Sequence, residues 1–187
     1  MTDLLWQAIA WLIQKHPIKQ WLFERAAKQP YSHIKSPDGK EVYMYRHWLF
    51  NPYPASGGAK RRGWGWLPSI RLHRIMHADK DRHYHDHPWH ARTIILDGWY
   101  TEVQPAYTGK KNGQKIFITL PNFCATHHRK TGDTAPIKYE HYHKIIAVSA
   151  GGVTTVFITW RYRGDWGFLV AGKKMLWREY LANEKTL

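Results

Sequence analysis

Apolar and polar positions change rhythm twice along the chain. Over residues 3–29, Leu4, Leu5, Trp11, Leu12, Trp21, Leu22 and Phe23 supply helix faces, and Pro17 divides the stretch into two short helices. From Pro30 to Pro68 the pattern becomes irregular. There "NPYPASGGAKRRGWGW" concentrates Pro, Gly, Ser and basic residues, as an exposed loop does. After residue 70, short runs between turn signals predict strands at 70–77, 92–97, 99–104, 115–120, 137–148, 153–160 and 166–170. Asp97-Gly98 and Lys111-Asn112-Gly113 read as hairpin punctuation. The closing "KKMLWREYLANEKTL" reads as a strand passing into a short helix. Short strands at this spacing indicate an all-β sandwich or barrel. The expected division is an N-terminal helical extension and loop, residues 1–69, followed by a barrel, residues 70–187.

Composition narrows this picture in three ways. A length of 187 residues suits one domain with an appendage. Lys and Arg number 28 against 14 Asp and Glu, a formal charge of +14, which favours anionic partners. Nucleic acid, a nucleotide, a phosphorylated metabolite or an acidic membrane surface would all answer that charge. The single cysteine, Cys124, excludes an intrachain disulfide and a Cys-cluster zinc site. The apolar run Leu4–Ile13 is too short to cross a bilayer and lacks the basic flank of a signal peptide, so a cytoplasmic protein is expected. The helix pair reads as a cap on the domain in preference to a membrane-surface helix.

Candidate chemistry concentrates in "DRHYHDHPWHARTIILDG", residues 81–98. Side chains alternate in an extended segment, so His83, His85 and His87 share one face while Tyr84 and Asp86 take the other. Two imidazoles two residues apart can reach one ion from the same side, and Pro88 then ends regular pairing, as suits a barrel rim. A complete site needs a third ligand from elsewhere. "YEHYHKIIAV" offers it, because His141 and His143 again share a face.

These motifs resemble those of the cupins, small double-stranded β-helix barrels. The first cupin motif is G-x5-H-x-H-x(3,4)-E-x6-G, and His85, His87 and Gly98 match its H-x-H pair and closing glycine. The second is G-x5-P-x-G-x2-H-x3-N, and Gly132 and His143 match its Gly-to-His spacing. The likeness covers about residues 70–180. The wording "HDHPW" followed by "LDGWYTE", with "FITWRYRGDWGF" and "WREYL" near the end, is closer still to small cupin-like proteins of bacteriophages and bacteria. For a phage-encoded chain the compartment would be the host cytoplasm. The departures are specific. Asp79 replaces the opening glycine, Ala91 or Arg92 stands where the first motif has glutamate, Lys138 and Glu140 replace proline and glycine, and Ala147 replaces asparagine. The resemblance therefore implies a three-histidine site of His85, His87 and His143 with the carboxylate ligand gone. Glu102, sharing a face with Tyr100, is the best substitute ligand or outer partner, with a surface lysine pair as the alternative.

The remaining candidates are weaker signals. His83 sits one pleat early, as a rim residue or outer donor; His141 is a further outer partner. His90 faces cavity or solvent, and His127 and His128 fall in an expected basic loop. Arg161 and Arg163 alternate with Tyr162 and would clamp a carboxylate or phosphate if their face looks inward; Arg92 and Tyr100 join them as substrate-binding candidates. "GGAKRRGWGW", within residues 57–66, interleaves charge with rings as a single-stranded nucleic-acid surface does, and also suits a lid or packing loop. The 2-oxoglutarate oxygenase pattern H-x-[DE] is disfavoured, since the residues two after His83 and His85 are histidines.

The resulting expectation is a cupin barrel with an N-terminal helical extension holding one divalent metal. Iron(II) is preferred, and Mn, Ni or Zn fit the same ligands. The expected activity is oxygenase chemistry, ahead of isomerase or lyase chemistry, on a small anionic or nucleotide-like ligand. No residue stands out as a general base. The alternative is a non-catalytic cupin that binds a small ligand or nucleic acid. A homodimer is compatible with either. Trp89 is expected to pack beside the metal-bearing segment, with Trp99 or Tyr100 nearby.

Overall fold

A computed structural model describes residues 2–36, 39–53, 66–80, 83–111 and 114–184. Helices α1 (Asp3–Ile13) and α2 (His16–Ala27) are separated at Gln14 and Lys15, and Pro17 sits in the first turn of α2. That position has no helical partner for an amide in any case, so the proline starts the second helix at no cost. Trp6 and Ala10 of α1 and Leu22 and Ala26 of α2 are buried, whereas Leu4, Trp11 and Trp21 are exposed.

The strands are β1 (Pro30–Lys35), β2 (Val42–Phe50), β3 (Ser69–Ile75), β4 (Trp89–Asp97), β5 (Trp99–Gln104), β6 (Ala106–Lys111), β7 (Gln114–Ile118), β8 (Ala125–Lys130), β9 (Thr134–Ile137), β10 (Lys144–Val148), β11 (Val153–Tyr162), β12 (Gly167–Val170) and β13 (Lys173–Leu176). The last runs into α3 (Trp177–Glu184), as the sequence pattern anticipated. One antiparallel sheet has the order β1-β2-β3-β11-β4-β9, and a second has the order β10-β5-β8; β6–β7 and β12–β13 are separate ribbons. Neighbours distant in sequence, such as β3, β11 and β4, mark the crossed connections of a jelly roll. The fold is therefore all-β, a jelly-roll barrel preceded by helices.

The central strands are covered on both faces. Leu72, Ile94, Leu96, Val156 and Ile158 pack with Trp6, Ala10, Leu22 and Ala26 under the helices. Their alternates Arg71, His73, Thr93, Thr155 and Phe157 line the barrel cavity. Because strand side chains alternate, one register decides every assignment. Phe157 pairs with Arg71 on one side and Thr93 on the other, and Ile158 pairs with Ile70 and Arg92.

Four features differ from the sequence pattern. Residues 30–35 and 42–50, expected as irregular chain, form β1 and β2; β2 pairs with β1 on one side and β3 on the other, so the sheet begins at Pro30. Their apolar signal is weak because every residue of β1 and most of β2 is exposed or only half-buried. The expected strand 137–148 is two strands split by a turn in which Glu140 has φ 57°. Residues 125–130, expected as a loop, form β8 against β5. Asp97-Gly98 is a corner between sheets, since β4 and β5 do not pair. Gly98 has φ +76°, and a Cβ there would lie 2.4 Å from Ser149 Oγ and 2.7 Å from the Gly152 carbonyl, so the corner admits no side chain. The other turn signal does join a hairpin, β6–β7, although its Asn112-Gly113 tip lies outside the described residues. No helix among the described residues is long and apolar enough to cross a membrane.

Candidate metal centre

The segment carrying His85 and His87 is threaded between two others by backbone hydrogen bonds. His85 and His143 exchange both of theirs, N to O at 3.0 and 2.9 Å, which sets the two residues opposite each other. The Asp86 amide donates to the Gly167 carbonyl at 3.0 Å and the Leu169 amide to the Tyr84 carbonyl at 2.8 Å, closing the other side. Asp86 itself is fully buried, and its carboxylate accepts from the Gly167 amide at 2.7 Å and from Lys174 Nζ at 2.6 Å. A Cβ on Gly167 would come within 2.1 Å of the Met175 carbonyl, so only glycine allows this approach. Burial raises the Asp86 carboxyl from its ordinary value, opposed by Lys174 and the Gly167 amide. Anchoring Asp86 behind the segment holds His85 and His87 toward the cavity, through the alternation alone.

Ligand-type nitrogens of His85, His87 and His143 lie within 4.8 Å of one another. His87 Nε2 and His143 Nε2 are 2.9 Å apart. Two ligands bound side by side to an ion at about 2.1 Å each would be separated by about 3 Å, so this edge has the dimension a metal requires. His143 Nδ1 donates to Glu102 Oε2 at 2.9 Å, which assigns the ring proton to Nδ1 and leaves Nε2 with its lone pair toward the cluster. Glu102 is in turn gripped through Oε1 by Arg129, at 2.7 Å from Nε and 2.6 Å from Nη2. Burial would raise the Glu102 carboxyl, but the hydrogen bond and charge of His143 and the Arg129 guanidinium outweigh it and hold the group at about 2. Glu102 therefore remains ionised and orients His143 from behind.

Burial lowers His85 to about 4, against the pull of Asp79, and pushes His87 well below its ordinary range, aided by the charges of His143 and His85. Both rings are neutral at pH 7, the form that binds a metal. His85 Nδ1 is buried with no hydrogen-bond partner among the described residues, and Asp79 Oδ2 stands 3.7 Å away. Asp79 accepts from the Ile145 amide at 2.7 Å and from the Tyr43 hydroxyl, tying β10 to the approach of the His85 segment. Three converging imidazoles, one with an orphaned buried nitrogen and one backed by a carboxylate, fit a divalent cation. Where a fourth carboxylate ligand would stand on β4, the inward residues are Ala91 and Thr93.

Other candidates fall elsewhere. Tyr100 is buried and lines the cavity, and burial pushes its hydroxyl above the usual range. Trp89 also lines it, with its ring nearly parallel to His87 at 6.2 Å between centroids. Tyr162 stands next to the Trp89 ring, whereas Trp99 is on the surface against His128. His83 stands at the cavity mouth with Nδ1 3.0 Å from the Tyr180 hydroxyl. His141 lies past the Glu140 turn and lines a separate basic cleft of about 360 Å³ with Arg92, His127 and Arg129. His90 Nδ1 accepts from the Tyr139 amide.

Three arginines expected at the substrate lie outside the cavity. Arg92 is one residue out of phase, so it faces α1, where it pairs with Asp3 and stacks 4.9 Å from the Trp6 ring centre. Arg161 and Arg163 are exposed, at and just past the C-terminal end of β11 where the Arg163 amide donates to the Pro88 carbonyl at 2.7 Å. The cavity wall instead carries Arg71 and His73 from β3. The run "SIRLHRI" held that signal: Arg71 and His73 alternate with Ile70 and Leu72, a polar face opposed to an apolar one. Residues 57–65, most of the basic aromatic loop expected to meet nucleic acid, lie outside the described residues; Trp66 at its end is exposed.

Fold and site together define a jelly-roll barrel with a three-histidine cluster. Neither a family model nor a curated protein matches the chain. Among solved structures, the chain is similar to the Fe(II) form of HppE with the alternative substrate (S)-1-HPP, at 8% identity and a TM-score of 0.44, over 72% of this chain and 57% of that one. It is similar to a cupin-like protein of Thermotoga maritima, at 14% identity and a TM-score of 0.39, over 74% and 83% of the two chains. The polyketide cyclase RemF of Streptomyces resistomycificus gives 15% identity and a TM-score of 0.42, over 71% and 75%. These are likenesses of overall shape, and no site residue is carried over from them.

Proposed function

We propose that this chain is a metal-binding cupin of the HDHPW type, with His85, His87 and His143 holding one divalent ion, iron(II) in preference to Mn, Ni or Zn. Its proposed activity is oxygenase-type modification of a small anionic substrate in the barrel cavity. The observation that carries this reading is the convergence of three imidazoles on one edge of a cavity of about 1400 Å³, with Glu102 orienting His143. When bound, an iron ion would supply a redox-active, Lewis-acidic centre with coordination positions left open by a three-ligand face.

The protein's own groups do the positioning. Glu102 keeps the His143 proton on Nδ1, and Arg129 keeps Glu102 ionised. Asp86, held by Lys174 and Gly167, fixes the direction of the His85–His87 segment. The rings of Trp89, Phe157 and Phe168 stand against the histidines and give that side of the cavity an apolar wall.

Elemental analysis of untagged protein, with dioxygen consumption measured over a panel of small organic acids, tests the reading. One equivalent of metal, lost in His87→Ala and retained in His128→Ala, is the expected result. Metal-free protein with unimpaired ligand binding would overturn it in favour of a non-catalytic binding cupin.

A further inference from the structure

Arg71 is a buried charge with no carboxylate partner among the described residues. It lies on β3 at 3% exposure and lines the same cavity as the three histidines. Its Nε and Nη2 are buried and have no hydrogen-bond partner among the described residues. These two nitrogens form one edge of the guanidinium, the side-on fork whose parallel N–H bonds match the two oxygens of a carboxylate. The titratable groups around it are the phenols of Tyr53 and Tyr31, Tyr53 close enough to interact with the guanidinium, and a second guanidinium, Arg46, with no carboxylate among them. The rings of Trp48, Tyr53, Trp89 and Phe157 surround it at 5.2–5.4 Å from the guanidinium carbon. Rings soften the desolvation of a cation, but they leave a buried fork without acceptors, which costs more than any surface arginine would.

More unmatched groups lie beside it. Trp89 Nε1 and His73 Nε2 are buried without hydrogen-bond partners among the described residues, and the buried Tyr53 hydroxyl faces Arg71 without a well-formed hydrogen bond. The same two rings, Trp89 and Phe157, contact Arg71 on one side and His87 on the other. An acceptor-rich group placed at Arg71 is therefore a single aromatic side chain away from the histidine cluster.

We propose that Arg71, with the Trp89 indole N–H, is a carboxylate-recognition subsite that holds one end of a small organic acid while its other end reaches the three-histidine centre. The subsite deepens the metal-cupin reading and rests on it for the cavity's being a substrate site. It names the substrate class as a small carboxylate rather than a nucleotide. Phosphonates share the anionic chemistry but present three oxygens, which one planar fork satisfies less completely.

The test uses full-length protein, with and without added Ni(II), titrated calorimetrically with malonate, acetate and methylphosphonate. Malonate is expected to bind the metal-free protein, and Arg71→Gln to weaken it about 10- to 100-fold, as loss of a charge-assisted bidentate pair does. Trp89→Phe is expected to weaken it by a smaller factor. His87→Ala, which removes the metal, is expected to leave metal-free malonate binding intact. Thermal melting of Arg71→Met in carboxylate-free buffer adds a second readout: an unchanged or higher Tm is expected, because the variant removes an uncompensated buried charge. Equal malonate affinity in Arg71→Gln, a clear fall in the Tm of Arg71→Met, or tighter binding of methylphosphonate than of malonate would each overturn the subsite. Uptake of Ni(II) by a protein that binds no malonate would overturn the subsite alone. Malonate binding by a protein that takes up no Ni(II) would overturn the metal reading alone.

Discussion

Arg71 and Arg92 are two buried arginines of one sheet, separated by a single strand, and they have opposite circumstances. Both are at most 5% exposed. Arg92 faces the helices, where Asp3 and Thr134 accept from its guanidinium and Trp6 lies beneath it. Arg71 faces the cavity, and its inner fork meets no acceptor among the described residues. The first charge closes a structural contact between α1 and β4. The second has aromatic rings and the Tyr53 phenol about it but no acid among the described residues, the circumstance expected of a group that receives a ligand. A buried arginine by itself says little; which side of the sheet it enters, and whether an acid meets it there, separates architecture from binding.

That contrast can be broken most sharply at the cavity face. Replacing His87 by Ala is expected to lower metal affinity by at least about 100-fold, because it removes one of three ligands, a larger loss than that of an outer partner. Competition titration with a chromophoric chelator reads the effect. Retained affinity would remove the cavity face's claim to a metal.

Acid provides the next largest effect. In metal-free protein, burial depresses His85 from its ordinary 6.5 to about 4, and lowers His73 and His87 well below 6.5. Between those values the unfolded chain binds protons that the folded chain refuses, so stability is full above pH 6.5 and falls as pH drops toward 4. For His85 the loss amounts to about 3 kcal/mol, since each tenfold weakening of proton affinity on folding is worth about 1.4 kcal/mol. Urea unfolding at several pH values checks the slope. A stability flat between pH 7 and 4.5 would mean that these rings are not buried neutral.

Glu102→Gln is expected to cost about 10- to 100-fold in metal affinity while leaving the fold intact, since the amide loses the charge that keeps the His143 proton on Nδ1. Dialysis against graded chelator distinguishes this from the near-total loss expected for His87→Ala. The smallest effect belongs to the other face. Arg92→Gln is expected to cost about 1 kcal/mol of stability, because its Asp3 partner is largely exposed, and to change neither metal nor malonate binding. Weakened malonate binding in Arg92→Gln would erase the distinction between the two arginines.

Much of the fold is legible in the sequence. Pro17 starts the second helix, and β3, β4, β5, β7, β11 and β12 coincide within a few residues with short apolar runs bounded by turn signals. The strands that escape are half-buried or exposed: β1 and β2 lack a clean alternation, and β8 carries polar residues on both faces. The turn at Glu140 escapes because it lies inside an apparently continuous strand pattern.

The chain's own spacing determines that His85 and His87 share a face, since alternation is a property of the extended backbone and needs no partner. It likewise determines that Arg71 and His73 travel together on β3. Tertiary structure alone decides which face looks inward. Both faces of β3, β4 and β11 are buried, so hydrophobicity does not distinguish the helix side from the cavity side, and a shift of one residue exchanges them. Tertiary pairing also decides that His143 meets His85 across a bridge, that Glu102 backs His143, and that no acid comes to Arg71 among the described residues. These are meetings between residues tens of positions apart, and only closure of the barrel brings them together.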